Sequence, residues 1–176
     1  MAKAHDDWKV LSHGPIVKLA DNLWWVEGSL PSMSLKRNMT LVRLDDGRLV
    51  IHNAIALERG AMQEIESWGK PAFLLVPNGG HRLDAPAFTR RYPELVLYCP
   101  SGSRERIEEV VKVDGSYEEF PHGETVRLET LPGVANLEVA IVWVRRGVWS
   151  GSGGLGEQTV PGITPPLTLP GRATGK

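Results

Sequence analysis

The stretch from Ala72 to Asp84 constrains the fold of this chain more than any other. An apolar run over 72–76 enters a turn containing Gly79 and Gly80, which is followed by His81, Asp84 and a helical pattern. A strand that passes through a turn into a helix places that turn at the carboxyl edge of a sheet, where α/β folds usually carry their chemistry. The side chains of this turn therefore bear directly on whether the protein is an enzyme.

The rest of the chain alternates between strand and helix patterns. Asp45-Asp46-Gly47 between the apolar runs 39–44 and 48–52 predicts a β-hairpin, which follows a short strand at 23–27. Apolar residues then recur at helical spacing up to a stop at Gly69: Leu57, Ala61, Met62, Ile65 and Trp68. Strands at 72–76 and 95–99, each followed by a helix, predict βαβ units with a locally parallel sheet. Two later strands are expected at 124–130 and 138–144.

Composition indicates one domain and excludes several classes of partner. A chain of 176 residues with 20 Lys and Arg against 21 Asp and Glu has no basic surface that would favour nucleic acid or an anionic membrane. No apolar stretch is long enough to span a bilayer. The single cysteine, Cys99, lies in an apolar run and is expected to be a buried hydrophobic residue. We expect a soluble, cytoplasmic protein.

The character of the chain changes near residue 145. Beyond it, glycines and prolines leave only scattered apolar residues, which can bury little surface to offset the entropy of ordering. We therefore predict a single domain over residues 1–144 and a largely irregular Gly/Pro-rich tail over 145–176. An alternative is that the chain is incomplete at its C-terminus, in which case an open sheet edge would favour a homodimer.

The order of these elements resembles the metallo-β-lactamase superfold. The likeness rests on the hairpin run 39–52 and on the Pro77-Asn78-x-x-His81 turn, which an uncharacterised branch of that superfold shares, and it covers about residues 14–144. The resemblance implies an α/β fold of the α+β sandwich kind, with mixed sheets and flanking helices. It also implies hydrolysis at two metal ions held by an H-x-H-x-D-H motif in the turn after the central strand.

That motif is missing from the corresponding turn. Its four ligand positions fall on Asn78, Gly80, Arg82 and Leu83. A later metal histidine of the superfold would follow a Pro-Gly, and here Val134 follows Pro132-Gly133. Glycine and leucine offer no atom that can bind a metal, and arginine places a permanent cation where a dication would lie. The sequence therefore excludes the ordinary dinuclear mechanism at these positions.

Three side chains could still supply chemistry at this edge. His52 ends the neighbouring strand, and together with His81 and Asp84 it could bind a single Zn²⁺ or Fe²⁺ ion, with an open position for water. Without metal, His81 and Asp84 could act as a general base. The alternatives are structural, because Asp84 precedes Ala85-Pro86 as a helix N-cap would, and His52 could point outward at a strand end.

Two functions remain open from the sequence. The first is a metallo-β-lactamase-like domain without the dinuclear site, with no cofactor expected, that serves as a non-hydrolytic binding or structural protein for an unknown small-molecule ligand. The second is an altered mononuclear hydrolase that holds at most one zinc or iron ion and acts on an ester, a thioester or a phosphoester. Nothing in the sequence selects a substrate.

Overall fold

The computed structural model describes residues 4–121, 123–130 and 139–143. Seven strands form the main sheet in chain order. They are β1 (Val17–Ala20), β2 (Leu23–Leu30), β3 (Met33–Arg43), β4 (Arg48–His52), β5 (Lys70–Leu75), β6 (Val96–Cys99) and β7 (Gly115–Ser116). Strands β8 (Val126–Thr130) and β9 (Val139–Trp143) pair antiparallel in a second sheet. The α-helices are α1 (Arg59–Trp68), α2 (Ala85–Arg91) and α3 (Arg104–Glu108), and short 3-10 helices cover Ser101–Ser103 and Tyr117–Glu119.

Strand β4 is where the main sheet changes from antiparallel to parallel pairing. Strands β1 to β4 pair antiparallel, and β4 to β7 pair parallel. The predicted hairpin is confirmed as β3–β4, with Gly47 at a φ of 83° in its turn. The predicted parallel βαβ units are also confirmed, since β5 and β6 are each followed by a helix.

The β2–β3 hairpin is longer than the sequence pattern indicated. Its two strands continue to Leu30 and from Met33, with Ser29 opposite Lys36 and the Lys36 ammonium 2.8 Å from the Ser29 hydroxyl. The added residues of β3 from Met33 to Lys36 are exposed and include two apolar side chains, Met33 and Leu35, which alternate with polar residues. The predicted strand did not extend over them. Backbone pairing and cross-strand contacts form this part of the hairpin.

The main sheet buries both of its faces, which explains the continuous apolar run of β5. One face packs beneath the helices around Met39, Ile51, Leu74 and Phe88. The other face forms a second core that includes Val50, Phe73, Phe120 and Val126 of β8. The second sheet therefore lies against the face opposite the helices, as expected for a layered α/β fold.

Helix α1 ends where the sequence predicted, although the role of Gly69 differs from a left-handed helix stop. The φ of Gly69 is −173°, an extended conformation open to any residue. A Cβ atom at this position would lie 2.6 Å from the Gly47 carbonyl oxygen and 2.6 Å from a Leu49 methyl group. Glycine is required here because the chain leaves the helix in close contact with the β3–β4 turn.

Within the described ranges, no helix is long and apolar enough to cross a bilayer. The predicted tail over 145–176, the position Val134 and the proposed C-terminal incompleteness all fall outside the described residues.

Candidate functional site

The carboxyl ends of β4 and β5 lie side by side, and hydrogen bonds of Asn53 fix the backbone at this edge of the sheet. His52 is in register with Leu75 of β5. Asn53 follows in the left-handed region with a φ of 58°, its backbone N–H donates to the Leu75 carbonyl at 2.9 Å, and its side-chain amide donates to the Asn38 carbonyl at 2.7 Å. A left-handed non-glycine residue is costly and persists where its surroundings fix it, as these two bonds do.

The turn after β5 is built by Asn78 and two glycines. The Asn78 side-chain oxygen accepts a bond from the Gly80 N–H at 2.8 Å, and the Asn78 carbonyl accepts one from the His81 N–H at 3.0 Å. A Cβ atom on Gly79 would lie 2.5 Å from Arg106 Cδ, so the turn passes close to that side chain. The turn leaves His81 exposed and within electrostatic range of His52.

His52 is the most perturbed titratable group at this edge. Its Nε2 atom is buried and has no hydrogen-bond partner, while part of the residue remains accessible. Burial and, to a smaller extent, the nearby His81 together lower the pKa of His52 from 6.5 to about 4. The imidazole is therefore neutral near pH 7. The expectation that His52 would simply point outward from the strand end does not hold for this buried nitrogen.

Asp84 has both carboxylate oxygens engaged by other residues. Oδ1 accepts from Nδ1 of His5 at 2.8 Å, and Oδ2 accepts from Nη2 of Arg37 at 2.5 Å and from the Ala56 N–H at 3.1 Å. The carboxylate is fully buried, and the Arg37 side chain is nearly so. Asp84 occupies the N-cap position of α2, yet its side chain makes no capping hydrogen bond. The expected capping role is therefore replaced by a buried ion pair.

His5 and Arg37 were missed by sequence reasoning. The position of His5 near the N-terminus gives no sign of burial, yet its side chain is only 11% exposed. Arg37 lies in a polar part of β3 that carries no sign of burial, and its Nη1 atom donates to the Ala54 carbonyl at 3.3 Å. These partners lie 79 and 47 residues from Asp84, so no local motif could have indicated them.

The structure brings two of the three predicted metal-binding residues near each other. His52 and His81 interact electrostatically, whereas Asp84 is bonded to His5, Arg37 and Ala56. Among the described residues, no group of three or more His, Cys, Asp or Glu side chains is arranged to hold a metal ion. Catalytic roles for His81 and Asp84 stay predictions.

Two other side chains near these loops, Cys99 and Arg82, are held by burial and by an ion pair. Cys99 is buried as predicted, and burial raises the pKa of its thiol to about 11, which keeps it protonated and unreactive at neutral pH. Arg82 lies 2.7 Å from the Glu109 carboxylate and also donates to the Arg106 carbonyl, so its charge is partly compensated in the turn.

Comparison of the whole structure with known proteins identifies the fold. The DIM-1 metallo-β-lactamase exposed to ceftazidime superposes with a TM-score of 0.57 at 12% identity, covering 77% of this chain and 67% of that one. The FIM-1 metallo-β-lactamase from Pseudomonas aeruginosa in its mono-zinc form gives a TM-score of 0.52 at 11% identity, covering 73% and 65%. The chain has a metallo-β-lactamase fold. No family model and no curated protein matches the sequence.

The likeness to metallo-β-lactamases is one of architecture. Identities of 11–12% show a shared fold and do not transfer an activity. The matched region spans only about two thirds of the length of each of these two enzymes. The predicted α/β class with a mixed sheet and flanking helices is confirmed.

Proposed function

We propose that this protein is a metallo-β-lactamase-fold domain that has no dinuclear metal centre and acts in binding or as a structural unit rather than in hydrolysis. The engagement of Asp84 carries the proposal. The carboxylate of Asp84 accepts hydrogen bonds from Arg37, His5 and a backbone N–H, so both of its oxygens are engaged by partners within the protein. Recruiting it to a metal would leave the Arg37 cation buried without its partner, which is costly.

The chemistry of the turn supports the same proposal. Gly80 and the buried Leu83 stand where the resemblance puts histidine ligands, and neither side chain has an atom that binds metal. Arg82, at the position of the aspartate ligand, is a cation paired with Glu109. The residues present do not fit a dinuclear centre.

The second candidate is the mononuclear hydrolase acting on an ester, a thioester or a phosphoester. The unpartnered Nε2 of His52, close to His81, favours it, because a neutral imidazole is a common ligand of zinc and iron. With Asp84 engaged elsewhere, a bound ion would have two protein ligands at most from the predicted set. Structural and catalytic metal sites ordinarily use three or four, so we rank this candidate second.

Metal analysis of protein purified without chelators tests both candidates. We expect well under one zinc or iron ion per chain, and no change in that amount in the His81→Ala variant. The His13→Ala variant is the matched control, because the hydrogen bond of its ring among the described residues is to the neighbouring Gly14 carbonyl. Two ions per chain would contradict the first candidate. One stoichiometric ion that is lost with His81, together with turnover of an ester, thioester or phosphoester panel, would favour the second.

We further propose a cytoplasmic protein that binds neither nucleic acid nor membranes. A net charge of −1 supports the absence of nucleic-acid binding, because binding to nucleic acid is driven by concentrated positive charge.

A further inference from the structure

An open groove, here called the Trp68 groove, lies where the end of helix α1 meets the β1–β2 hairpin. Its volume is about 470 Å³, which is within the usual range of small-molecule sites. The residues that line it are Lys18, Leu19, Ala20, Asp21, Trp24 and Trp68. None of the three residues that the sequence predicted for metal binding is among them, so this groove is separate from the candidate site.

Two stacked indole rings form one wall of the Trp68 groove. Trp24 of β2 and Trp68 at the end of α1 are almost parallel, with ring centroids 3.9 Å apart and an angle of 6° between the ring planes. Trp24 is buried and Trp68 is half-buried, so Trp68 provides most of the accessible aromatic surface. The Trp68 indole N–H donates to the Asp21 carbonyl at 3.3 Å, which holds this ring beside the β1–β2 turn.

The protein holds one of its own cations at this wall. The Lys18 ammonium lies 4.7 Å from the centroid of the Trp24 ring and 2.7 Å from the Glu64 carboxylate. Lys18 is opposite Trp24 in the β1–β2 register, and Glu64 precedes Trp68 by about one turn of α1. The face of an indole attracts a cation through its quadrupole, and the carboxylate supplies the counter-charge.

A guanidinium is held by the same two components elsewhere in the protein. The guanidinium carbon of Arg91 lies 4.6 Å from the centroid of the Trp8 ring, and its Nη2 atom lies 2.9 Å from the Glu66 carboxylate. Trp68 and the exposed Asp21 offer an indole and a carboxylate side by side. In the part of the chain that the structure describes, no cationic side chain lies on the Trp68 ring or pairs with the Asp21 carboxylate.

We infer that the Trp68 groove binds an alkylguanidinium group. The flat guanidinium stacks on the Trp68 ring and donates to the Asp21 carboxylate, and the alkyl chain lies against Leu19, which is 39% exposed. A guanidinium suits one ring beside one carboxylate, because it is planar, stacks on aromatic faces and presents several N–H donors in its plane. This inference rests on the proposed binding function and names the chemical class of its ligand.

The charges around the Trp68 groove favour a cation. Lys18 and Glu64 compensate each other, so the Asp21 carboxylate leaves an excess of negative charge among the side chains named here. All three charged side chains are exposed, and solvent and salt screen their charges. We therefore expect millimolar binding that weakens as the salt concentration rises.

Three matched small molecules test the ligand class: butylguanidinium, the neutral and planar butylurea, and the charged but non-planar butylammonium. Binding to the full chain at low salt is followed by tryptophan fluorescence and by the ¹H–¹⁵N signal of the Trp68 indole. We expect saturable binding of butylguanidinium with a shift of the Trp68 signal, about fivefold weaker binding of butylurea and about threefold weaker binding of butylammonium. Equal binding of butylurea, or no saturable change at Trp68, would overturn the inference.

A free alkylguanidine and an arginine side chain of another protein carry the same group. The peptide acetyl-Gly-Arg-Gly-amide distinguishes these two sources. Tighter binding of the peptide than of butylguanidinium would support a protein segment as the ligand, and weaker binding would support a free small molecule. Failure of both probes to bind would overturn the inference.

Variants locate the site. Asp21→Asn removes the charge but keeps the carbonyl that holds Trp68, and it should weaken butylguanidinium binding about threefold. Trp68→Leu should weaken it about fivefold through loss of the ring. Lys18→Met should strengthen it about twofold, because Glu64 then loses its partner and adds negative charge to the groove. Undiminished binding in both Asp21→Asn and Trp68→Leu would overturn the assignment.

The matched control is Asp7→Asn, which removes the same charge outside the Trp68 groove. The Asp7 side chain is 99% exposed and lies 3.5 Å from Arg90 beside α2, so binding should stay unchanged. If Trp68→Leu fails to fold, Asp21→Asn and Lys18→Met still decide the outcome, because the inference gives them effects of opposite sign. A loss of binding in Asp7→Asn equal to that in Asp21→Asn would contradict a local role of Asp21.

The two proposals fail in different measurements. Bound metal ions or hydrolytic turnover would contradict the proposed function whether or not butylguanidinium binds. Absence of butylguanidinium binding in a metal-free, inactive protein would contradict only the ligand class of the Trp68 groove.

Discussion

The carboxylate of Asp84 is buried completely, and its charge is compensated by Arg37 from a strand distant in sequence. The Arg37 side chain is 5% exposed, and its guanidinium reaches Asp84 at 2.5 Å and the Ala54 carbonyl at 3.3 Å. A buried ion pair of this kind contributes modestly to the stability of the folded protein while it is intact. Removal of one partner, however, leaves an uncompensated buried charge. Removal of either partner alone should therefore cost much more stability than the intact pair contributes.

Substitution Arg37→Met should destabilise the protein by about 3–5 kcal/mol, because Asp84 would then keep its charge without the guanidinium. Urea unfolding followed by circular dichroism measures the loss. Lys70→Met is the control, since Lys70 pairs with Glu94 at the exposed surface and should cost far less. The double variant Arg37→Met, Asp84→Asn should recover part of the stability. Equal stabilities of Arg37→Met and Lys70→Met would contradict this account.

The single residue His52 should make the stability of the folded protein depend on pH. Its pKa is about 4 in the folded protein and 6.5 ordinarily, so between these values the unfolded chain binds more protons. The contribution of His52 to stability should therefore be greatest above about pH 6.5, fall as the pH is lowered to about 4, and level off below. A tenfold change in proton affinity is worth about 1.36 kcal/mol, which limits the total to roughly 3 kcal/mol.

Denaturant unfolding at a series of pH values measures this dependence, and NMR titration of the His52 ring measures its pKa directly. The His52→Gln variant is the reference, because a glutamine does not titrate. We expect the stability difference between the natural protein and the variant to change between pH 6.5 and pH 4. A difference that stays constant over that interval would show that the pKa of His52 in the folded protein is close to its ordinary value.

At the scale of elements, residues 5–14 form a segment that crosses helix α2 and the edge of β2, here called the N-terminal strap. The His5 N–H donates to the Leu83 carbonyl at 2.7 Å, and the Trp8 indole donates to the Leu57 carbonyl at 2.9 Å. The Trp8 ring lies 4.8 Å from the Phe88 ring. The strap therefore connects the start of α2 to the N-terminal part of the sheet.

Substitution His5→Ala should loosen the strap without unfolding the domain, because Arg37 still compensates Asp84. Hydrogen exchange should accelerate in residues 5–14 and 83–91, while β3 and β4 keep their protection. His13→Ala is the matched control, since the ring hydrogen bond that the structure describes for His13 is to the adjacent Gly14 carbonyl. The same acceleration in both variants, or a uniform acceleration through β3 and β4, would contradict an anchoring role of His5.

For the whole molecule, the open edges of the sheets bear on assembly. The outermost strands of the main sheet, β1 and β7, have four and two residues, and short edge strands resist pairing with another chain. In the described part of the chain, β8 and β9 pair with each other and with no strand of the main sheet. We propose that any homodimer forms through this second sheet.

Sedimentation velocity over a wide concentration range tests this assembly. We expect a concentration-dependent monomer–dimer equilibrium that persists at high salt, because backbone pairing between strands is little affected by ionic screening. A single monomeric species at every concentration would contradict the dimer. Dissociation by salt alone would point to a charged interface elsewhere on the surface.

Sequence alone determined the features that depend on local periodicity and on the chemistry of single residues. The β3–β4 hairpin followed from alternating apolar runs around Gly47, and the parallel β5 and β6 followed from apolar strands that lead into helices. The resemblance to the metallo-β-lactamase fold followed from the order of these elements. The absence of metal-binding atoms at Gly80 and Leu83 was also certain from the sequence, because no packing can give these side chains a ligand atom.

Only the tertiary structure decided how the polar residues at the sheet edge are used. Asp84 could be a ligand, a base or a helix cap in the sequence, and the structure pairs it with His5 and Arg37, 79 and 47 residues away. His52 could be a ligand or a surface residue, and the structure buries its Nε2 without a partner. These outcomes depend on contacts between distant segments and on desolvation, which no local pattern in the chain encodes.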